Sequence, residues 1–312
     1  MNQPSILPYE EKSAFNALCE DFRRREDALG LIFQLNQLIK AVQTHRGMTM
    51  ALIGGNKGFR ENFSSLQYQL DRRIAALQAF VARSGKLINR QQEESILLSW
   101  RTIRQDWQDD KLSDNFELHS HFIEELQNIV LGLTKELEKP LESASQIDTV
   151  AHPQIFKQIE LLNFVGKELP DMIEQIARVR GLSTYMTASG EVDFSNDRKL
   201  RYVLQCARQQ NEKLRHQSER LAKILDGAVS RLPEIKTIEF KLIYLLETVD
   251  NDVLGGRTIQ TNTHQLFKLA TELIDIYWAV VNEGFSVVRQ WNEAMLESWL
   301  SMGMSYSAED KA

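Results

Sequence analysis

The chain is short of the residues that punctuate, cross-link or anchor proteins. Of its 312 residues only 6 are proline and 15 glycine, while 43% are hydrophobic, a balance that argues for an ordered fold of long elements with few turns. Only two cysteines occur, Cys19 and Cys206. They stand alone without CxxC spacing, which excludes a disulfide framework and a cysteine-held zinc. No run of 18 apolar residues is present, so no membrane-inserted helix is expected. The opening MNQPSILPYEEK has no positive region leading into an apolar one, and a cytoplasmic location follows as the expectation. Basic stripes are missing too. With 37 lysines and arginines against 43 acids, the net charge is -6, which argues against nucleic acid as a partner.

Chemistry-bearing clusters are equally sparse. No Ser-His-Asp set, paired carboxylates or metal-ligand group emerges, so neither an enzyme nor a cofactor or metal site is expected. Gly54-Gly55-Asn56-Lys57-Gly58 lacks the order of a phosphate-binding loop and has no preceding strand. His119 and His121 are two apart, so on a helix they point in different directions and do not share a metal. His121 is expected to cap or pack.

What is present is helical periodicity over most of the length. It predicts an all-α fold of about eight long helices, four in each half. The first half spans 1–139, with helices over 9–53, 58–84, 90–109 and 113–139. Residues 140–154, bounded by Pro140 and Pro153, read as a linker. The second half spans 155–303, with a pause near Gly166 to Pro170 and further helices over 196–231, 233–253 and 264–303. Residues 304–312 read as a flexible tail.

The two halves share a motif. THRGMTMALIGGN begins at Thr44 and VRGLSTYMTASGE at Val179, so Arg-Gly, an apolar residue and a hydroxyl recur in order. Ser120-His121 and Thr263-His264 supply a second, weaker match. Together they suggest internal duplication.

Glycine inside a helix costs about 1 kcal/mol relative to alanine, and an arginine among apolar residues needs a partner. Ile32, Leu35, Ile39, Val42, Arg46, Thr49 and Ile53 follow alternating steps of three and four, which turns Arg46 toward the core. Ile173, Ile176, Arg180, Ser183 and Thr187 do the same for Arg180. Gly47 and Gly181 leave room for a second helix or a small ligand. Two counter-charges fit: an internal carboxylate, or a bound anion. The guanidinium fork matches planar oxyanions such as nitrate and nitrite, with Thr49 and Ser183 as nearby hydroxyls. His45 flanks the stripe and is a further candidate donor.

The segments QTHRGMTMALIGGN and ARVRGLSTYMTASGE, with the eight-helix pattern, resemble the nitrate- and nitrite-sensing (NIT) domain over about residues 28–303. That resemblance implies two four-helix bundles and an anion held by motif arginines, here Arg46 and Arg180, each followed by its glycine. Other members often carry a charged residue before the arginine, where this chain has His45 and Val179. Arg178 is a substitute, although its spacing places it with Asp171, Glu174 and Gln175 on the polar face, as an i,i+4 partner of Glu174. Arg257, after Gly255-Gly256, is a loop candidate.

The family's attached output modules are not recognised in this sequence, which leads to the expectation of a separate signalling partner. The aromatic-rich last helix, with Trp278 and Trp291, would offer a partner or homodimer surface where exposed. A ligand-free helical adaptor on the same fold is the competing expectation.

Overall fold

The computed structural model describes residues 9–84, 87–139 and 153–309. Among them are nine α-helices and no strand: α1 (Tyr9–Ile53), α2 (Arg60–Val81), α3 (Arg90–Arg104), α4 (Leu112–Glu138), α5 (Pro153–Asn163), α6 (Leu169–Ser189), α7 (Phe194–Leu225), α8 (Glu234–Thr248) and α9 (Thr263–Glu309). The all-α expectation holds. None of these helices is long and apolar enough to cross a membrane.

Local chemistry sets several ends. Asn89 and Gln92 form a reciprocal capping box at the start of α3. Asp193 accepts the Asn196 N–H at the start of α7, and Gly190 ends α6 in the left-handed conformation that glycine adopts without strain. α3 stops at Arg104, short of the expected 109, where Gln105 turns extended and Asp106 takes a positive φ. α7 likewise ends at Leu225, short of 231, on left-handed Asp226.

The expected pause near Gly166 to Pro170 is not a break. A π-helical turn, Phe164–Glu168, joins α5 to α6 as one rod and places Pro170 at the first positions of α6. It is wedged between neighbours: a Cβ on Gly166 would lie 2.8 Å from Thr134 of α4, and one on Gly284 of α9 only 2.5 Å from Val165. A similar turn, Val249–Val253, extends α8.

α1 packs on α2 and α4, and α3 completes that group against α2 and α4; α6, α7, α8 and α9 form a second group in the same manner. The groups meet where α1 runs alongside α6, and α5 bridges to α4, α7 and α9. One continuous apolar core runs through both, from Leu31 and Leu35 of α1 through Ile173 and Ile176 of α6 to Val281 of α9. Each group therefore relies on the other to cover its apolar surface. Of the expected linker at 140–154, residues 140–152 lie outside the described residues. The expected tail at 304–312 is helical as far as Glu309, with α9 continuing unbroken.

Candidate functional site

The two Arg-Gly motifs face one another across the contact of α1 with α6, each arginine lying against the other copy's glycine. A Cβ on Gly47 would sit 3.3 Å from Nε of Arg180, and one on Gly181 would meet the Arg46 side chain at 3.9 Å. Each guanidinium also lies over a phenylalanine from the fourth helix of its own group: Arg46 over Phe116 at 5.1 Å, Arg180 over Phe267 at 4.9 Å. Four residues beyond each phenylalanine is a hydroxyl acceptor. Arg46 Nη1 donates to Ser120 at 3.0 Å, and Arg180 Nη1 donates to Thr271 at 2.8 Å.

The charges break this reciprocity. Arg46, fully buried, forms a two-pronged pair with Glu174 of α6, at 2.7 and 3.1 Å. Arg180 is equally buried, and no carboxylate among the described residues pairs with it; its second prong donates to the Gln43 carbonyl at 2.8 Å. Six residues before Arg180 stands Glu174, whereas six before Arg46 stands Lys40, which pairs outward with Asp275 at 2.8 Å. The Nε of both arginines lacks a partner.

Gln43 ties the arginines together. Its side-chain amide donates to Glu174 at 3.0 Å, while its carbonyl accepts from Arg180. Burial, reinforced by repulsion from Arg46, pushes the Arg180 guanidinium down to about 9, so it remains protonated at neutral pH. Burial alone would raise the Glu174 carboxyl, but Arg46, Arg178 and Gln43 outweigh it and hold the group below its ordinary range. Two fully buried cations thus stand beside one buried carboxylate, which pairs with Arg46 and not with Arg180, leaving one positive charge in excess among these buried groups.

Neither Thr49 nor Ser183 bonds to the arginine guanidinium groups. Both are buried, but Thr49 donates to the His45 carbonyl at 2.7 Å and Ser183 to the Val179 carbonyl at 2.6 Å. Ser120 and Thr271 donate to their own i-4 carbonyls in the same way and still accept from the arginines, so the difference lies in which helix presents its hydroxyl to each guanidinium. Arg178 does pair with Glu174, at 2.9 Å and partly exposed, as its spacing predicts. Glu174 itself is buried, correcting its assignment to the polar face. Arg257 is exposed in the loop before α9 and does not join the arginine pair.

His45 belongs to a separate cluster. Its Nδ1 lies 2.8 Å from Nε2 of His119, whose own Nδ1 lies 2.7 Å from the Asn115 carbonyl. A carbonyl only accepts, so His119 Nδ1 donates there, His119 Nε2 accepts, and His45 Nδ1 is the donor. His45 Nε2 is left without a partner, against Phe63 and Trp100. Burial, with His119 beside it, holds His45 well below the usual histidine range, and burial takes His119 down to about 3. The corresponding motif positions are Val179 and Ala270, both buried. His121, expected to cap or pack, is exposed.

A polar cleft of about 350 Å³ runs between α4, the π turn with α6, and α7. Glu174 and Ser120 line it, with Arg178 and Lys167 as the cations on its walls. Both partners of the Arg46 head group therefore border a solvent-facing opening. No three metal-ligating side chains cluster among the described residues.

From the sequence Glu174 stands out only as a partner of Arg178 and Ser120 only as part of a repeat, neither as a partner of Arg46, and Gln43 and Thr271 do not stand out. One signal for the hydroxyls was present: FELHS at Phe116–Ser120 and FKLAT at Phe267–Thr271 share the Phe-x-Leu-x-hydroxyl order. The match of Ser120-His121 with Thr263-His264 is not a structural equivalence. Ser120 lies within α4, whereas Thr263 begins α9 and His264 stacks on Phe59 at 4.3 Å. No protein-family model, curated protein or solved structure matches the chain.

Proposed function

We propose that this protein is a small-anion sensor of the nitrate- and nitrite-sensing type, binding a planar oxyanion at Arg46 and Arg180 and signalling to a separate, cytoplasmic partner protein. One observation carries the reading: Arg180 is fully buried with an unpaired Nε, and no carboxylate among the described residues is ion-paired with it, Asp275 and Glu174 acting on it only at longer range. An uncompensated buried cation is destabilising by several kcal/mol even after relaxation, so a buried arginine pair with one positive charge in excess favours an anionic ligand. The guanidinium fork suits nitrate or nitrite in geometry as well as charge. Because α1 and α6 each supply one arginine, an ion between them favours one relative packing of the two groups, which is the differential affinity a sensor requires.

A second reading, a ligand-free helical adaptor, is favoured by the Arg46–Glu174 pair, an internal neutralisation of the kind such a protein would retain. Calorimetric titration with nitrate, nitrite and chloride separates the two. The sensor reading expects saturable heat with an oxyanion, not with chloride, abolished in Arg180→Ala. Absence of oxyanion heat from the intact chain would favour the adaptor.

A further inference from the structure

We infer that Glu174 is a built-in competing ligand, so that an oxyanion enters by exchange, taking the carboxylate's place on Arg46 while Glu174 moves into the polar cleft with Arg178. The inference rests on the sensor reading and adds the residue that sets its affinity and selectivity.

Three observations carry it. First, Glu174 holds Arg46 with both oxygens, at 2.7 and 3.1 Å. The planar O–C–O group presents to the fork the same acceptor pattern as the O–N–O edge of nitrate or nitrite. The oxyanion seat on Arg46 is already filled by the protein itself.

Second, Glu174 has somewhere to go. Its Oε1 is shared with Arg178, which is partly exposed on the cleft wall, and Glu174 borders that opening. Rotation of the glutamate side chain breaks the contacts to Arg46 and Gln43 while keeping the one to Arg178. An internal carboxylate with no second cation would resist release, since a charge stranded in the interior is strongly unfavourable. Lys167 also lines the cleft but is already paired with Asp171 at 2.8 Å, and Glu124 lines it too, so Arg178 is the cation that receives Glu174.

Third, exchange keeps the buried charge constant. Glu174 leaves with one negative charge as the anion brings one, so Arg46 and Arg180 stay balanced to the same degree throughout. It also converts occupancy into a mechanical change. In the structure Glu174 ties α6 to α1 through both Arg46 and Gln43; after exchange both ties are released and the anion replaces one of them.

Selectivity follows from the same competition. Chloride, lacking two coplanar acceptors, does not reproduce what Glu174 offers and is a poor displacer. Nitrate, nitrite and small carboxylates such as formate do.

The test is calorimetric titration of the full chain with sodium nitrate, using wild type, Glu174→Gln and, as a control, Glu124→Gln in the same cleft. Glu174→Gln is expected to bind nitrate at least tenfold more tightly than wild type, and Glu124→Gln within about twofold of it. A tenfold gain corresponds to about 1.4 kcal/mol. Binding by wild type that is equalled or weakened in folded Glu174→Gln, or strengthened equally in Glu124→Gln, overturns the exchange and leaves the anion site standing. Silence from both wild type and Glu174→Gln overturns the anion site itself. If Glu174→Gln does not fold, crystals of the unmodified protein soaked in nitrate decide: the anion on Arg46 with Glu174 turned to Arg178 supports exchange, and Glu174 still on Arg46 beside a bound anion overturns it.

Discussion

Gly47 lies against Arg180, and the absent Cβ is what lets them meet. A carbon built there would be 2.8 Å from the Phe267 ring and 3.3 Å from the arginine Nε. Its counterpart Gly181 is looser, with the nearest atoms at 3.5 Å or more. The same dipeptide therefore has two structural meanings, close approach in one copy and ordinary contact in the other.

Alanine at these two glycines should have opposite effects. Gly47→Ala forces Phe267 or Arg180 to shift and is expected to lower stability by about 1–3 kcal/mol. Gly181→Ala meets only van der Waals neighbours and is expected to be neutral or to add up to about 1 kcal/mol from helix propensity. Urea denaturation of both variants checks this, and equal losses would contradict the close-approach account.

The hydroxyls divide in the same way. Thr271→Val removes the acceptor of the Arg180 Nη1 and is expected to be destabilising by about 1–3 kcal/mol, since a buried charged donor loses its partner. Ser183→Ala removes a hydroxyl that only bonds its own helix, and a change within about 1 kcal/mol is expected. Thermal or chemical denaturation of the two side by side gives the comparison. A larger loss for Ser183→Ala would return that residue to the site.

Acid should weaken the fold through the histidine pair. His45 and His119 are held below the ordinary value of 6.5, His119 to about 3. The unfolded chain takes up protons near 6.5 while the folded one does not, so their contribution is complete above that pH and is lost as pH falls from 6.5 toward 3. The slope is about 1.4 kcal/mol per pH unit for each histidine. Glu174, held low, loses its contribution only at more acidic pH. Denaturation at pH 7 and pH 5 should show a drop that is smaller in His119→Gln; equal stability at both pH values would remove the pair from the account.

Much of this was legible in the sequence because it depends on local repetition. The span of α1, Tyr9–Ile53, follows from its apolar spacing and the glycines after it. The inward facing of Arg46 and Arg180 follows from steps of three and four along their helices. Gln43 was legible in principle, three residues before Arg46 on the same face, but a glutamine beside a stripe carries no signal of which carboxylate it will meet. Pro170 does stand at the first positions of α6, but the π turn before it carries the helix through where sequence rules place a break.

By itself, the sequence determined the helices, the faces they bury and the pair of arginines set among apolar residues. Those are properties of a single helix, set by periodicity and by the chemistry of each side chain. Only the tertiary structure decided that Arg46 is matched by Glu174 and Arg180 is not, that the hydroxyls come from Ser120 and Thr271 rather than Thr49 and Ser183, and that each arginine lies against the other copy's glycine. Counter-charges and acceptors for a buried group come from whichever helix packs beside it, and that choice depends on the rotation and depth of separate helices, which no spacing within one helix records.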